Sequence, residues 1–191
     1  RFRAGHALAA VAGRWVGFVD PRAGLAPDAV AGGDRADVGV QVDAAAELLK
    51  ADWGVESDIW GAPSFNELAR NGQDVERWNL LHPMEEPRTS HVAQKLAGAE
   101  GPVIAATDYI RMLPEQIRPF VKGTYVTLGT DGFGRSDTRE QLRHFFEVDR
   151  HWVTLAALKA LADEGVIGRD TVAAALVKYK LDPSKPNPMS V

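Results

Sequence analysis

Three observations predict an α/β fold of three layers, an open and mostly parallel sheet with helices on both faces. Short apolar runs of strand length alternate along the chain with stretches whose apolar residues recur every three or four positions. Side chains able to cap a helix stand ahead of several of those stretches, and glycine or proline stands behind them. The run "PVIAA" at residues 102–106 shows no polar alternation, which suits a parallel strand buried on both faces.

In order, residues 1–42 form a divergent N-terminal segment of small apolar residues, expected to be weakly ordered or truncated. Phe2, Trp15 and Phe18 are its main anchors, while Gly13, Gly17, Pro21, Gly24 and Pro27 interrupt every candidate helix or strand. At its end Val38, Val40 and Val42 alternate as a short strand would, and Asp43 is placed to cap a helix over 44–53, ended by Gly54. Residues 55–60 read as a strand. Ser64 and Glu67 have capping-box spacing, so a helix starts there; Gly72 is expected to stop it, and a second helix covers about 74–80. Pro83 and Pro87 enforce an irregular connection.

Val92 and Leu96 mark a short helix, followed by the 102–106 strand between Gly101 and Asp108. Ile110, Leu113, Ile117 and Phe120 have helical spacing, with Pro114 tolerable near a first turn. A strand at 125–128 leads into the loop "GTDGFGRSD", after which Asp137 and Glu140 give an N-cap and its partner. Leu142, Phe145 and Phe146 share one face of that helix. Asp149 opens a helix to about Glu164 with Leu155, Leu158 and Ala162 in line, and Asp170 opens the last, with a stripe of Val172, Ala175, Leu176 and Tyr179. The α/β domain is thus expected over 43–182, with 183–191 a proline-broken surface tail.

Composition narrows the partners. The 191 residues, 45% hydrophobic and 25% charged, allow one well-buried domain plus an appended segment. A net charge of -4 with no long basic run argues against nucleic acid. No apolar stretch approaches the roughly 18 residues of a membrane span, and nothing at the N-terminus resembles a signal peptide, so no membrane partner and a cytoplasmic location are expected. The absence of cysteine excludes disulfides, thiolate nucleophiles and cysteine-bound metals. A first residue that is Arg1 rather than Met is what a segment of a longer reading frame would show.

The most distinctive motif is "LGTDGFGRSDTREQLRHFFEVD", residues 128–149, a strand feeding a glycine-rich loop and then a helix. Backbone amides at such a junction attract anions, and Gly132, Gly134, Arg135 and Ser136 are the candidate contacts to an anion or a partner within the 129–139 loop. Gly129, Gly132 and Gly134 equally suit the backbone of a tight turn, and their spacing matches neither the P-loop nor the dinucleotide fingerprint. Of the histidines, His6, His82, His91, His144 and His151, none has metal-ligand spacing with a carboxylate. In "DVERWNLLHP", residues 74–83, Asp74, Glu76, Arg77 and His82 could do acid and base chemistry in a cleft; the plainer reading is a helix with a solvated charged face and Trp78 inward. No G-x-S-x-G elbow is present.

Three long segments, "ADWGVESDIWGAPSFNELARNGQDVERWNLLHP", "ATDYIRMLPEQIRPFV" and "LGTDGFGRSDTREQLRHFFEVD", resemble in order and separation the C-terminal domain of homodimeric pyruvate dehydrogenase decarboxylating subunits. The last is also similar to a stretch of the C-terminal domain of transketolases. The resemblance covers about residues 43–191. It implies a transketolase C-terminal-like fold and a parent enzyme that decarboxylates pyruvate on thiamine diphosphate with Mg²⁺ and acetylates a lipoyl group. Implied partners are the catalytic domains of the parent chain, a homodimer partner and the dihydrolipoyl acyltransferase core. In that family a G-D-G motif followed by paired Asn holds the diphosphate through Mg²⁺. Here the nearest approximation, Gly33 and Asp34, runs into Arg35 with no Asn pair downstream, so catalytic, cofactor-binding and metal residues are expected to be none in this chain. The family also places a strand and a "GSG"-like turn before a longer first helix, where this chain has "GGDRADVGVQVD", so the edge of the sheet is expected to lack that strand.

Overall fold

A computed structural model describes residues 15–19, 38–62, 64–99 and 101–191. In chain order its elements are β1 (Trp15–Val19), α1 (Val38–Trp53), β2 (Ser57–Gly61), α2 (Phe65–Leu81), α3 (His91–Lys95), β3 (Val103–Ala106), α4 (Met112–Glu115), β4 (Tyr125–Leu128), α5 (Arg139–Phe145), α6 (Arg150–Asp163) and α7 (Arg169–Lys178). Short 3₁₀ turns occupy Arg118–Phe120 and Pro188–Ser190.

The four strands pair only in parallel, in the order β2-β1-β3-β4. All four residues of β3 are buried, and successive side chains of a strand point to opposite faces. Ile104 and Ala106 therefore join α1, α6 and α7 in one core, around Val38, Val42, Leu49, Val153, Leu158 and Leu161. Val103 and Ala105 join the other, with Phe65 and Ala69 of α2, Val92 of α3, and Ile117, Phe120 and Tyr125. This is the three-layer α/β arrangement the alternation of elements predicts. Each wholly buried Leu or Ile, such as Leu49, Ile104 or Leu158, contributes roughly 1.5–3 kcal/mol relative to an exposed one.

The start of the chain departs from expectation. Weak order is predicted for residues 1–42, yet 15–19 form β1, an interior strand paired with β2 from Trp15↔Ser57 and with β3 from Val16↔Val103. Gly17 does not stop it, because backbone pairing on both sides supplies order that local propensity lacks. A strand thus precedes the first helix, inside the sheet, where the departure from the family pattern predicts its loss. Phe2, His6, Gly13, Pro21, Gly24, Pro27, Gly33, Asp34 and Arg35 lie outside the described residues.

The predicted strand at 38–42 is the first turn of α1 instead, and Asp43 lies inside that helix rather than capping it. Val38, Val42, Ala45 and Leu49 are each at most 1% exposed, a spacing of four, three and four that only a helix turns toward one core. Val40, which the strand reading places with them, is 38% exposed.

Gly72 does not end α2, which continues to Leu81 and absorbs the helix predicted at 74–80. Its role is contact: a Cβ there would meet the ring of Phe120, so the smallest residue lets the aromatic lie on the helix backbone. The 110–120 stripe forms two short pieces rather than one helix, since Pro114 and Pro119 each lack the amide that continues a helix. Of its four apolar residues, Ile117 and Phe120 are buried, whereas Ile110 is exposed.

Two of the predicted caps hold and two shift. Asp149 caps α6, its carboxylate accepting from the amides of His151 and Trp152 at 2.9 and 3.0 Å. Ser64 caps α2. Thr138, not Asp137, caps α5, its hydroxyl accepting from the Gln141 amide at 3.3 Å. Gly168, not Asp170, stands at the N-cap of α7, two residues earlier than the sequence suggests. Within 183–191 most residues are exposed, but Pro188 is buried and Lys185 donates to the Phe145 carbonyl at 2.7 Å and to Glu147 at 2.8 Å.

Candidate functional site

The carboxyl ends of β3 and β4 lie side by side, the usual place for function in an open parallel sheet. The Thr107 amide donates to the Leu128 carbonyl at 3.0 Å, and the Thr130 amide to the Tyr109 carbonyl at 2.9 Å, so the chains leaving the two strands stay paired. The Thr130 hydroxyl donates to the Asp108 carbonyl at 2.8 Å. Gly129 is required by the same closeness: a Cβ on it would collide with the Tyr109 carbonyl and the Arg111 amide. Arg111 donates from its Nε to Asp131 at 2.7 Å and from its amide at 3.3 Å, tying the second loop to the first.

Asp108 is the main junction. Its carboxylate accepts from Arg143 of α5 at 3.1 and 3.0 Å and from the Val38 amide at the start of α1 at 3.3 Å. Arg143 is a buried side chain, so its guanidinium depends on this partner. No spacing in the sequence announces the pair, whose members stand 35 residues apart.

The sequence-predicted contacts separate into two groups. Gly132 has φ +115, and a Cβ there would strike the Pro188 carbonyl, so it serves the docking of the tail. Gly134 has open space around it. Arg135 and Ser136 line a hollow of ≈ 440 Å³ with Gln141, His144 and Lys185. Phe145 is flanked there by two cations, the Arg135 guanidinium 4.0 Å and the Lys185 ammonium 5.3 Å from its ring centre. Phe133, between the two glycines, is 79% exposed.

A neighbouring hollow of ≈ 470 Å³ is lined by Arg111, Asp131, Trp152, Lys185 and Pro188. The Trp152 indole N–H is buried without a hydrogen-bond partner.

The described histidines, His82, His91, His144 and His151, take structural contacts. His82 stacks on Trp78 at 4.3 Å and its Nδ1 lies 2.8 Å from the Trp78 carbonyl oxygen. Trp78 is not inward but half-buried, with the Arg88 guanidinium 3.7 Å over its ring. His144 pairs with Asp149 at 2.8 Å, and His151 stacks on Tyr179 at 4.9 Å. The His91 backbone amide donates to the Asn71 side chain. Among the described residues no three His, Asp or Glu side chains group as a metal ion would need.

Two other polar clusters join elements. The Tyr179 hydroxyl of α7's C-cap accepts from the Trp53 indole N–H at 2.8 Å and donates to Asp52 at 2.9 Å. Burial, then the Asp52 contacts, push the Tyr179 phenol up to about 12, while the hydrogen bond from Lys178 leads in holding Asp52 below the ordinary carboxylate range. Glu115 is likewise held low, chiefly by its hydrogen bond with Arg118, and also accepts from Thr127. Burial pushes Tyr125 up; its hydroxyl donates to the Pro114 carbonyl at 2.8 Å.

Residues 31–149 match the family model of the transketolase-like TK C-terminal domain. The chain is 76% identical over 151 residues to the pyruvate dehydrogenase E1 component of Cupriavidus necator, 79% of this chain and 17% of that one. It is 57% identical over 150 residues to the E1 component of Pseudomonas aeruginosa, covering 78% of this chain and 17% of that one. With the E1 component of Escherichia coli K12 it shares 52% over 145 residues, 75% of this chain and 16% of the relative. The chain thus spans about a sixth of the length of the curated relatives it matches.

Proposed function

The chain belongs to the transketolase-like TK C-terminal domain family, and from that premise we propose that it is the C-terminal domain of a pyruvate dehydrogenase E1-type polypeptide. What carries the reading is identity of 76% sustained over 151 residues, far beyond any single motif. The parent would decarboxylate pyruvate on thiamine diphosphate with Mg²⁺ and acetylate a lipoyl group. Its partners would be the catalytic domains of the same polypeptide, a second copy in a homodimer, and the dihydrolipoyl acyltransferase core. The domain proper would occupy 43–182, and the location would be cytoplasmic. Among the described residues no helix is long and apolar enough to cross a membrane.

Among the described residues, the side chains at the carboxyl end of the sheet do not suit the diphosphate and its metal. Mg²⁺ asks for carboxylate or amide oxygens converging on one point. The acidic residues at the carboxyl end of the sheet are instead engaged with arginines, Asp108 with Arg143 and Asp131 with Arg111. The work left to this domain is mechanical: it offers a rigid α/β layer on which the rest of the polypeptide is supported.

A second reading, an anion- or partner-binding module using the 129–139 loop, is favoured by Arg135 and Lys185 converging on Phe145 beside an open hollow. Gly132, Gly134, Arg135 and Ser136 would make its contacts. One calorimetric experiment separates the two. Titration of the isolated chain with thiamine diphosphate and Mg²⁺ is expected to give no binding heat; saturable heat would refute the first reading. Inorganic phosphate at millimolar concentration is the second arm, where saturable binding abolished by Arg135→Ala would favour the module.

A further inference from the structure

Of the asparagines, Asn66, Asn71, Asn79 and Asn187, only Asn71 stands before a glycine. In a free chain that dipeptide is labile, because the glycine amide nitrogen, with no side chain to hinder it, can attack the neighbouring carboxamide carbon. Here the fold holds the pair away from that reaction. Both residues lie inside α2, where the Gly72 amide belongs to the helix ladder and helical backbone turns it away from the Asn71 side chain. The Asn71 Oδ1 accepts from the His91 amide at 2.7 Å, which ties the carboxamide to the first residue of α3. On its other side Gly72 is buried under the Phe120 ring, so closely that no Cβ would fit between them. Asn71 itself is exposed, so water for hydrolysis is at hand.

We propose that Asn71–Gly72 is a deamidation site gated by α2: closed while the helix holds, open to reaction when it unwinds, and unable to return to its former register once converted. The chemistry balances with water alone. A bond forms between the Gly72 nitrogen and Asn71 Cγ, the Cγ–Nδ2 bond breaks, and the Gly72 amide proton leaves with the carboxamide nitrogen as ammonia. Water then opens the cyclic imide at one of its two carbonyls. Opening at Cγ gives aspartate, and opening at the main-chain carbonyl gives isoaspartate. Either product adds a negative charge on the helix, four residues after Glu67 and three before Asp74, where like charges repel. Isoaspartate also lengthens the backbone by a carbon just ahead of Gly72, which puts the hydrogen-bond ladder out of step and lifts Gly72 from the Phe120 ring. Local openings of a helix range from nearly free to as costly as global unfolding, so the rate of conversion reads how tightly α2 is closed.

The test incubates the protein at mildly alkaline pH, folded and in guanidinium chloride, and follows the amide-to-acid mass gain peptide by peptide. Asn66 and Asn79, in the same helix but not before glycine, are the internal references. In denaturant Asn71 is expected to convert at least about tenfold faster than in the folded protein, and ahead of both references. Equal rates in the two states would overturn the gate, and an Asn71 no faster than Asn66 and Asn79 in denaturant would overturn the site. The product is examined by hydrogen exchange. Molecules carrying isoaspartate are expected to lose amide protection along α2 while unconverted molecules keep it; full protection in the converted molecules would show that the helix closes again and would sink the claim of irreversibility.

Discussion

Gly132 and Gly134 stand two positions apart in one loop, and the sequence offers no reason to treat them differently. Gly132 has φ +115 with the Pro188 carbonyl where a Cβ would go, whereas nothing lies within 4 Å of a Cβ on Gly134. Gly132→Ala is therefore expected to cost about 1–3 kcal/mol, by strain and by loosening the tail, and Gly134→Ala to change stability by less than about 0.5 kcal/mol. Chemical denaturation of the two variants checks this; equal stabilities would refute the assigned role. Side chains whose partner lies within one turn were legible beforehand, as with Ser64 and Asp149 as caps. Arg143 was not, because a buried guanidinium and its carboxylate 35 residues away leave no periodic trace.

Among elements, the joint between α1 and α7 makes a pH prediction. Tyr179 is raised to about 12, so its hydroxyl stabilises the fold fully below the ordinary value of 10.0 and that stability is lost as pH rises from 10.0 through about 12. Asp52 is lowered, so its share is present above the ordinary value of 3.8 and lost as pH falls through its lower folded value. Tyr179→Phe should flatten the alkaline limb of stability against pH and leave part of it, since buried Tyr125 is also raised. An unchanged alkaline limb would show that Tyr179 does not couple the helices. Val38, Val40 and Val42 alternate as a strand does, yet Val38 and Val42 also fit the helical stripe continued by Ala45 and Leu49, and the larger core decided. Gly72 reads as a stop, but Phe120 gives it a packing reason to remain inside α2.

For the whole molecule, Asp108 connects what folding must bring together: the end of β3, α5 through Arg143, and the first amide of α1, 70 residues earlier. Asp108→Ala would leave the Arg143 guanidinium, 11% exposed, without its partner, and a loss of about 3 kcal/mol is expected. Thermal unfolding is the check; a loss below about 0.5 kcal/mol, as for a surface pair, would overturn the assignment. By itself the sequence determined the α/β class, the parallel strands at β3 and β4, the caps that start α2 and α6, and the family, because these rest on apolar runs, caps and long collinear identity read along the chain. Tertiary structure alone decided that 15–19 form an inner strand, that α1 begins at Val38, that Lys185 and Pro188 anchor the tail, and that Phe133 stands exposed on a braced loop. These depend on pairing and burial between residues far apart in the chain, and that energy appears only once the layers have closed.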